Sequence, residues 1–146
     1  MITIKYGSIF DSRAAVLVCP VNCVGVMGKG LALEFKKRFP KMEAAYKKTC
    51  KAELLPVGSA STLFFGDPPA VMMAFTKQHW RHPSRLEWVD GCLVDVVYGW
   101  KMLGFDSIAI PQLGCGCGGL DWADVWPLYE KHLGGLDCDV EVWIWL

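Results

Sequence analysis

The chain has 146 residues, 15 basic against 15 acidic side chains, and 53% hydrophobic against 21% charged residues. That composition excludes a disordered chain and suffices for one domain with one core, which we expect to span residues 1–146. No apolar run approaches the roughly 20 residues that cross a bilayer, and residues 1–6 alternate like a strand rather than a signal peptide. We therefore expect a cytoplasmic protein with no membrane partner.

The seven cysteines and three histidines give no sign of a metal centre. No Cys-x-x-Cys pair occurs, the pair Cys115 and Cys117 lies inside a glycine-rich loop, and the histidines have no zinc-like spacing. An odd number of cysteines at apolar positions is typical of reduced thiols that pack as small hydrophobic groups. We expect no metal and no cofactor.

Charge is unevenly distributed along the chain although it sums to zero. Residues 1–85 contain 13 Lys and Arg against 5 Asp and Glu, whereas residues 86–146 contain 2 against 10. The first part could form a basic face that meets phosphates, unless the fold interleaves the two parts.

Short apolar strands alternate with helical patterns along the chain. Strands are predicted near 2–6, 15–21, 57–65, 70–76, 106–111 and 139–145. Helices are predicted at 30–38, at about 41–51, at 84–103, and from Asp121 to the residue before Gly134. This alternation predicts an α/β fold with a mostly parallel or mixed sheet that helices cover.

The third and fourth helices carry the clearest boundary signals. Ser84 and Glu87 predict a capping box at the start of the third helix, and Gly104 predicts its end. Asp121 predicts the N-cap of the fourth helix. The apolar face of the third helix is predicted at Leu86, Val89, Leu93, Val97 and Trp100.

Two glycine-rich loops each join a strand to a helix, at residues 21–30 and 111–120. Glycines let backbone amides approach a phosphate closely, and the N-terminus of a helix adds a favourable dipole. Two such loops in a short chain predict a diphosphate that is held from both sides. Neither loop fits the dinucleotide or P-loop patterns, so an ordinary NAD or ATP site is disfavoured.

The segments 7–10, 18–32, 35–40, 75–80 and 108–116 together resemble the macrodomain family. The string Val-Asn-Cys-Val-Gly-Val-Met-Gly-Lys-Gly at 21–30 is the most specific part of a resemblance that covers nearly the whole chain. It is similar to the DarG-type branch, the antitoxin macrodomains that remove ADP-ribose from thymidine in single-stranded DNA. The resemblance implies a three-layer α/β/α macrodomain with a mixed, mostly parallel six-stranded sheet.

The function that this resemblance implies is that of an ADP-ribosyl glycohydrolase, which would reverse the product of a DNA ADP-ribosyltransferase toxin. Its ligands would be ADP-ribose and ADP-ribosylated single-stranded DNA, and a cognate toxin is a candidate partner. Two alternatives stay open. One is a non-catalytic ADP-ribose reader, and the other is a hydrolase of ADP-ribosylated protein carboxylates or of ADP-ribose derivatives.

Lys77 and Asn22 are the catalytic residues that the resemblance implies. The glycosidic carbon of ADP-ribose is electrophilic, so a neutral Lys77 could attack it or form an imine with the opened sugar. A charged Lys77 could instead stabilise the departing base, and Asn22 could orient the ribose hydroxyls or a water. The implied ligand contacts are Ser8, Ile9, Asn22, Gly25, Val26, Met27, Gly28, Lys29, Gly30, Thr76, Leu113, Gly114, Cys115, Gly116, Cys117, Gly118, Gly119 and Leu120.

The chain departs from family patterns at two positions. Ser8 stands where many macrodomains carry an aspartate that reads the adenine amino group, although a backbone contact could substitute for it. Gly118 stands where related lysine hydrolases carry an aspartate, so no acid is evident to assist Lys77.

A basic segment follows Lys77 and contains an aromatic residue but no acid. A cationic track with a stacking platform is what single-stranded nucleic acids require, so His79, Trp80, Arg81 and Arg85 are predicted to contact DNA. Two alternatives stay open, a Trp80 that belongs to the core and a loop whose cations are merely solvated.

Overall fold

The computed structural model describes residues 1–145, so the predicted domain boundary at residue 146 lies outside it. Within this range no helix is long and apolar enough to span a membrane. The strands are β1 (Ile2–Tyr6), β2 (Val16–Asn22), β3 (Ala60–Leu63), β4 (Ala70–Lys77), β5 (Ser107–Pro111) and β6 (Asp139–Ile144). The α-helices are α1 (Gly30–Arg38), α2 (Pro40–Lys51), α3 (Leu86–Leu103) and α4 (Trp122–Leu133).

The six strands form one sheet in the order β1-β6-β5-β2-β4-β3. Every neighbouring pair is parallel except β3 and β4, which run antiparallel. The prediction of a mixed, mostly parallel six-stranded sheet is therefore confirmed. Apart from β3, each strand matches its predicted range to within one residue at either end.

Both faces of the sheet are covered, which explains why β2 is an almost unbroken apolar run. Val16 and Val18 point into a core that they share with α3 and α4. Leu17, Cys19 and Val21 point into a second core that includes residues of α1 and α2. Because successive side chains of a strand point to opposite faces, β2 packs against helices on both sides of the sheet. The three-layer α/β/α fold is therefore confirmed.

The order of the strands creates a crevice at the carboxyl edge of the sheet. β2 and β5 are parallel neighbours, but the helix after β2 packs on one face and the helix after β5 packs on the other. The two connecting loops therefore diverge from adjacent strand ends. In open α/β sheets this topological switch point is where ligands bind.

The predicted capping box at Ser84 is wrong. The third helix begins at Leu86 with Arg85 at its N-cap and no side-chain cap. The backbone amide of Ser84 instead donates to the carbonyl of Gly118 at 2.9 Å, which holds Ser84 against the second glycine-rich loop. Leu86 also departs from its predicted inward position, because it is 39% exposed.

Other boundary signals are confirmed. Gly104 ends α3 with φ of 66°, and Asp121 caps α4 by accepting a hydrogen bond from the Ala123 amide at 3.0 Å. The strand predicted at 57–65 is wrong in length, because only Ala60–Leu63 pairs regularly with β4. Gly58, with φ of +83°, turns the chain just before that pairing begins.

Gly91, in the middle of α3, packs directly on the backbone before β3. A Cβ at this position would lie 2.3 Å from the carbonyl oxygen of Gly58, which cannot retreat like the tip of a side chain. We expect Gly91→Ala to lower the free energy of unfolding by about 1–3 kcal/mol in urea denaturation, despite alanine's higher helix propensity. Gly99→Ala in the same helix is the control, because its Cβ would meet only side-chain atoms, the Met72 methyl at 3.2 Å and Thr62 Oγ1 at 4.0 Å. Equal stability of the two variants would contradict this packing.

Candidate functional site

The carboxyl ends of β2 and β4 bring the two predicted catalytic residues together. Asn22 pairs in register with Lys77, across an irregularity in the ladder at Val21. The Cys23 amide then donates to the Lys77 carbonyl at 3.0 Å, so the first loop leaves the sheet beside Lys77. Asn22 and Lys77 are 55 positions apart in the sequence, and the sheet register makes them neighbours.

The side chain of Asn22 organises the first glycine loop (residues 23–29). Its Oδ1 accepts from the amides of Val24, Gly25 and Val26 at 3.0, 3.2 and 3.4 Å. Its Nδ2 donates to the Val26 carbonyl at 2.9 Å. Asn22 is buried, with 7% of its surface exposed, and it fixes the loop backbone. Only the second hydrogen on Nδ2 is left without a partner in the loop, so it is the group that could contact a ligand. That contact stays a prediction.

A buried tyrosine of α2 supports this arrangement. The hydroxyl of Tyr46 shares its one hydrogen between the Asn22 carbonyl at 2.6 Å and Asn22 Oδ1 at 2.7 Å. Burial raises the pKa of Tyr46, so the hydroxyl stays neutral and keeps its proton to donate. The side chain of Asn22 is thus fixed on one side by Tyr46 of α2 and on the other by the amides of the first glycine loop.

The residues of the first glycine loop divide between an inner and an outer side. Met27 is buried at 2% exposure and anchors the loop in the core that α1 and α2 share. Gly25 has φ of +98° and lies on α2, because a Cβ there would meet Cys50 at 3.6 Å. The predicted contacts Val26, Gly28, Lys29 and Gly30 are exposed.

The N-terminus of α1 opens at the end of this loop. Lys29 is its N-cap and makes no side-chain capping bond. The first amides of a helix have no partner within the helix, and together with the helix dipole they favour an anion. The first glycine loop therefore offers backbone donors to a negatively charged group.

The second glycine loop (residues 112–120) is tied to the other face of the sheet. The hydroxyl of the buried Tyr129, on α4, accepts from the Leu113 amide at 2.9 Å and donates to the Pro111 carbonyl. Within the loop, the Leu120 amide donates to the Gly114 carbonyl at 2.9 Å and closes the turn. Both glycine loops are thus held at their roots by a buried tyrosine hydroxyl.

No side chain fits at Gly118 in this conformation. A Cβ there would lie 2.4 Å from the Gly114 carbonyl oxygen and 2.5 Å from Ser84 Oγ. The position at which the resemblance leads us to expect an aspartate in related lysine hydrolases is therefore closed by the backbone of the loop itself. Ser84 Oγ is buried beside it with no hydrogen-bond partner in the described residues.

The two loops approach each other across the crevice. A Cβ on Gly30 would lie 3.6 Å from the sulfur of Cys117, which is exposed. The predicted contacts Gly116 and Gly119 are exposed in the same loop. Cys115 is half-buried, and burial raises the pKa of its thiol to about 11, so it is a neutral group at pH 7.

Several predicted contacts are buried or engaged in local structure. Ser8 caps the short 3-10 helix Ile9–Asp11 by accepting from the Phe10 amide at 3.3 Å. Ile9 is buried in the same core as Met27, and Thr76 is buried one residue before Lys77. Leu113 is buried as well. A role of these residues in ligand contact stays a prediction.

The basic segment after Lys77 forms a compact turn. The ammonium of Lys77 donates to the Trp80 carbonyl at 3.3 Å, and Trp80 stacks on His79 with ring centroids 5.3 Å apart. Arg81 lies 4.6 Å above the Trp80 ring. Trp80 is 46% exposed, so the alternative of a core tryptophan is wrong. Arg85 lies over Trp88 and is 3.6 Å from a Glu87 carboxylate oxygen.

Sequence reasoning missed Tyr46, Tyr129 and Ser84. Both tyrosines lie on the apolar faces of their helices, where the pattern indicates only burial. Because the hydroxyl of a buried tyrosine usually has a hydrogen-bond partner, the burial of both residues could have predicted such a bond, although not its partner. Among the described residues no cluster of His, Cys, Asp and Glu could hold a metal ion.

Fold and loops together define an α/β/α domain with a ligand crevice at a topological switch point. A family model described as Macro domain matches residues 18–129, and the chain belongs to the macrodomain family. A DNA ADP-ribosyl glycohydrolase of Mycobacterium tuberculosis is 45% identical over 128 residues, which cover 86% of this chain. One of Thermus aquaticus is 40% identical over 99% of this chain. This chain spans 36% and 41% of the lengths of those two relatives.

Two solved structures show the same architecture. The macrodomain of Thermus aquaticus DarG matches with a TM-score of 0.91 and 40% identity, and the match covers 100% of this chain and 98% of that one. Thermosipho africanus DarTG in complex with ADP-ribose matches with a TM-score of 0.90 and 32% identity, over 96% of this chain and 41% of that one. The expected resemblance to DarG macrodomains is confirmed.

Removing the hydroxyl of Tyr46 tests how the first glycine loop is held. We expect Tyr46→Phe to cost about 1–3 kcal/mol of unfolding free energy, because two buried acceptors on Asn22 lose a donor. The amides of residues 24–26 should exchange with solvent hydrogen faster than in the unmodified protein. Tyr98→Phe is the control, since Tyr98 is 63% exposed on α3, and it should change stability by less than about 0.5 kcal/mol. Unchanged exchange in the loop would show that Tyr46 does not hold it.

Proposed function

We propose that this chain binds ADP-ribose between the two glycine loops and cleaves the N-glycosidic bond between ADP-ribose and thymidine in single-stranded DNA. The observation that carries the proposal is the position of Lys77. It lies beside Asn22 at the strand end from which the first glycine loop departs, next to the crevice that the second loop closes. Relatives that cover most of this chain are named DNA ADP-ribosyl glycohydrolase.

The crevice supports the binding of a diphosphate through backbone donors. Gly28 and Lys29 are exposed on one loop and Gly116 on the other, whereas the amides of Val26 and Gly119 already donate to Asn22 Oδ1 and to the Gly116 carbonyl. The uncapped N-terminus of α1 adds partial positive charge to the first side. A solved structure related to this chain is described as being in complex with ADP-ribose.

Lys77 would act on the glycosidic carbon in one of two ways. As an ammonium it would stabilise the charge that develops on the base as the bond to the sugar breaks. As a neutral amine it would attack the glycosidic carbon and displace the base, which leaves with its bonding electrons and takes up the proton lost by the amine. The ribose ring then opens to an imine, and water hydrolyses that imine to ADP-ribose and free Lys77. The carbonyl of Trp80, 3.3 Å from the Lys77 nitrogen, holds the side chain at the strand end in either case.

Asn22 would work mainly by positioning. Four of its hydrogen bonds set the backbone of the first glycine loop, which we place around the distal ribose and one phosphate. Its remaining Nδ2 hydrogen could orient a ribose hydroxyl or a water for attack. Ile9 would form part of the support beneath the adenine end rather than an open contact, because it is 2% exposed.

The basic segment supports the choice of nucleic acid as the carrier of the modification. Trp80 is exposed beside Lys77, with Arg81 over its ring, and Arg85 follows at the N-cap of α3. Aromatic rings that stack on bases and cations that meet phosphates are the common means of binding single strands.

The proposed substrate requires an enzyme that makes it. A relative in Thermosipho africanus, 33% identical to this chain, is named as a fusion of a DNA ADP-ribosyl transferase and a DNA ADP-ribosyl glycohydrolase. We therefore propose a cognate DNA ADP-ribosyltransferase toxin as the partner whose product this chain removes. We place this activity in the cytoplasm, where the DNA of the bacteria that carry these relatives lies and where the seven free cysteines would stay reduced.

Lys77 variants test the reaction on an oligonucleotide that carries ADP-ribosyl-thymidine. We expect Lys77→Ala to lower turnover by about 100-fold or more, because the reacting centre loses its cation or nucleophile. Affinity for free ADP-ribose, measured by calorimetry, should remain. Lys77→Arg separates the two roles: partial activity would favour charge stabilisation, and activity as low as that of Lys77→Ala would favour the imine.

Lys101→Ala, an exposed lysine near the end of α3, is the control and should keep full turnover. Tight ADP-ribose binding without turnover in the unmodified protein would contradict the proposal and leave a reader. Turnover only on ADP-ribosylated carboxylates would leave a hydrolase of proteins.

Trp80 tests the contact with the strand. We expect Trp80→Ala to weaken binding of an unmodified single-stranded oligonucleotide by about 1–3 kcal/mol, because one base loses its stacking surface. Fluorescence anisotropy with a labelled oligonucleotide measures the effect. Tyr98→Ala removes an aromatic ring of similar exposure from the outer part of α3 and should leave the affinity unchanged. Equal affinities of both variants would rule out stacking on Trp80.

A further inference from the structure

Much of the positive charge of this chain lies on α1 and α2. Residues 30–51 contain seven Lys and Arg against two Glu, out of 15 Lys and Arg in the whole chain. Such a density of like charge on two adjacent helices repels itself unless an anion neutralises it. This surface lies outside the segment after Lys77, which we have related to DNA above.

Only part of this charge is neutralised within the protein. Lys36 and Lys47 approach Glu43 at 2.9 and 3.7 Å, and Lys37 approaches Glu34 at 3.7 Å. In residues 1–145, Lys48 and Lys51 belong to no salt bridge. Both are exposed, and the side chain of Lys47 is 57% exposed. The second half of α2 thus presents three lysines within five positions, which we name the α2 lysine face (Lys47, Lys48 and Lys51).

The α2 lysine face begins at the candidate site. A Cβ on Gly25, in the first glycine loop, would lie 3.8 Å from Lys47 Cγ. One residue earlier, Tyr46 contacts Asn22, the register partner of Lys77. One helical turn later, the Cys50 thiol lies 3.8 Å from the Asn22 carbonyl. The exposed lysines are therefore attached to the same turn of helix that supports the first loop.

The α2 lysine face and the segment 79–85 flank Lys77 from different sides. α2 packs through Tyr46 and Met42 on the face of the sheet that it shares with α1. The segment 79–85 leads into α3, which packs on the opposite face. Lys77 ends the strand between them. A strand of nucleic acid that presents its modified base to Lys77 would continue over one basic surface on each side.

We propose that the α2 lysine face binds the phosphates of single-stranded nucleic acid on one side of the modified nucleotide, and that the segment 79–85 contacts the other side. This proposal rests on the proposed function. Its occupant follows from charge complementarity, because three exposed ammonium groups within five positions of one helix attract the phosphates of a nucleic acid backbone. Lysines near the C-terminus of a helix also interact favourably with the helix dipole. If that were their only role, replacing them would change the stability of the protein but not its affinity for DNA.

The test is a triple variant, Lys47→Gln, Lys48→Gln and Lys51→Gln, which keeps side-chain length and helix propensity. The matched control is Lys5→Gln, Lys101→Gln and Lys131→Gln, which removes the same charge from exposed positions on β1, α3 and α4. Binding of an unmodified single-stranded oligonucleotide is measured for both by anisotropy between 50 and 200 mM salt.

We expect the triple variant to bind about tenfold or more weakly at the lowest salt. Each lost phosphate contact lowers the salt slope by about 0.7, so three contacts lower it by roughly 2. Equal affinities and slopes for the two triple variants would overturn the proposal. If the α2 variant fails to fold, as judged by circular dichroism, Lys48→Gln alone carries the same comparison against Lys101→Gln, with about a third of the slope change.

Turnover separates this proposal from the proposed function. The unmodified protein and the control variant should prefer a long ADP-ribosylated oligonucleotide to the ADP-ribosylated thymidine nucleotide in kcat/KM, and the α2 variant should lose that preference through a higher KM. If the preference survives in the α2 variant, the lysine face is not the strand contact. If the unmodified protein cleaves neither substrate, the proposed function fails, and the anisotropy result still decides whether the α2 lysine face binds strands.

Discussion

The site depends on two buried tyrosine hydroxyls that reach the sheet from opposite faces. Tyr46 on α2 holds Asn22 at the end of β2, and Tyr129 on α4 holds Pro111 and Leu113 at the end of β5. In each case the aromatic ring is part of a hydrophobic core, and the hydroxyl at its tip reaches the end of a strand. The backbone of both glycine loops is therefore positioned by the packing of the two cores, which gives each loop a rigid root.

The strand order brings the anchored loop and Lys77 to the same edge of the sheet. Parallel strands share one carboxyl edge, so the ends of β2, β4 and β5 lie side by side. The irregular register after Val21 sets Asn22 against Lys77 rather than against Thr76, which is buried. A regular ladder would have paired Asn22 with that buried threonine. One extra residue in β4 thus brings a partly exposed lysine to the edge where the first glycine loop begins.

Local signals in the sequence predicted most of the fold, whereas contacts between distant segments escaped them. Period-two and helical patterns gave five strands and both caps at Gly104 and Asp121, because those signals act within a few residues. The sequence around Ser84 predicts a helix cap, but the Ser84 amide donates to the carbonyl of Gly118, 34 positions away. No local sequence pattern indicates that hydrogen bond. The same holds for Tyr46, whose helical position indicates burial without naming Asn22 as its partner.

The closed space at Gly118 narrows the chemistry that Lys77 can serve. An aspartate cannot occupy that position, and Asp121, the acid that follows the loop, is engaged as the cap of α4. A leaving group that needs a proton to depart, such as an alcohol or a guanidine, is poorly served without an acid beside it. A leaving group that departs as a delocalised anion, such as the imide of thymine or a carboxylate, requires only a cation nearby. In the proposed reaction Lys77 would supply that cation, so the closed second glycine loop supports a substrate whose leaving group needs no acid.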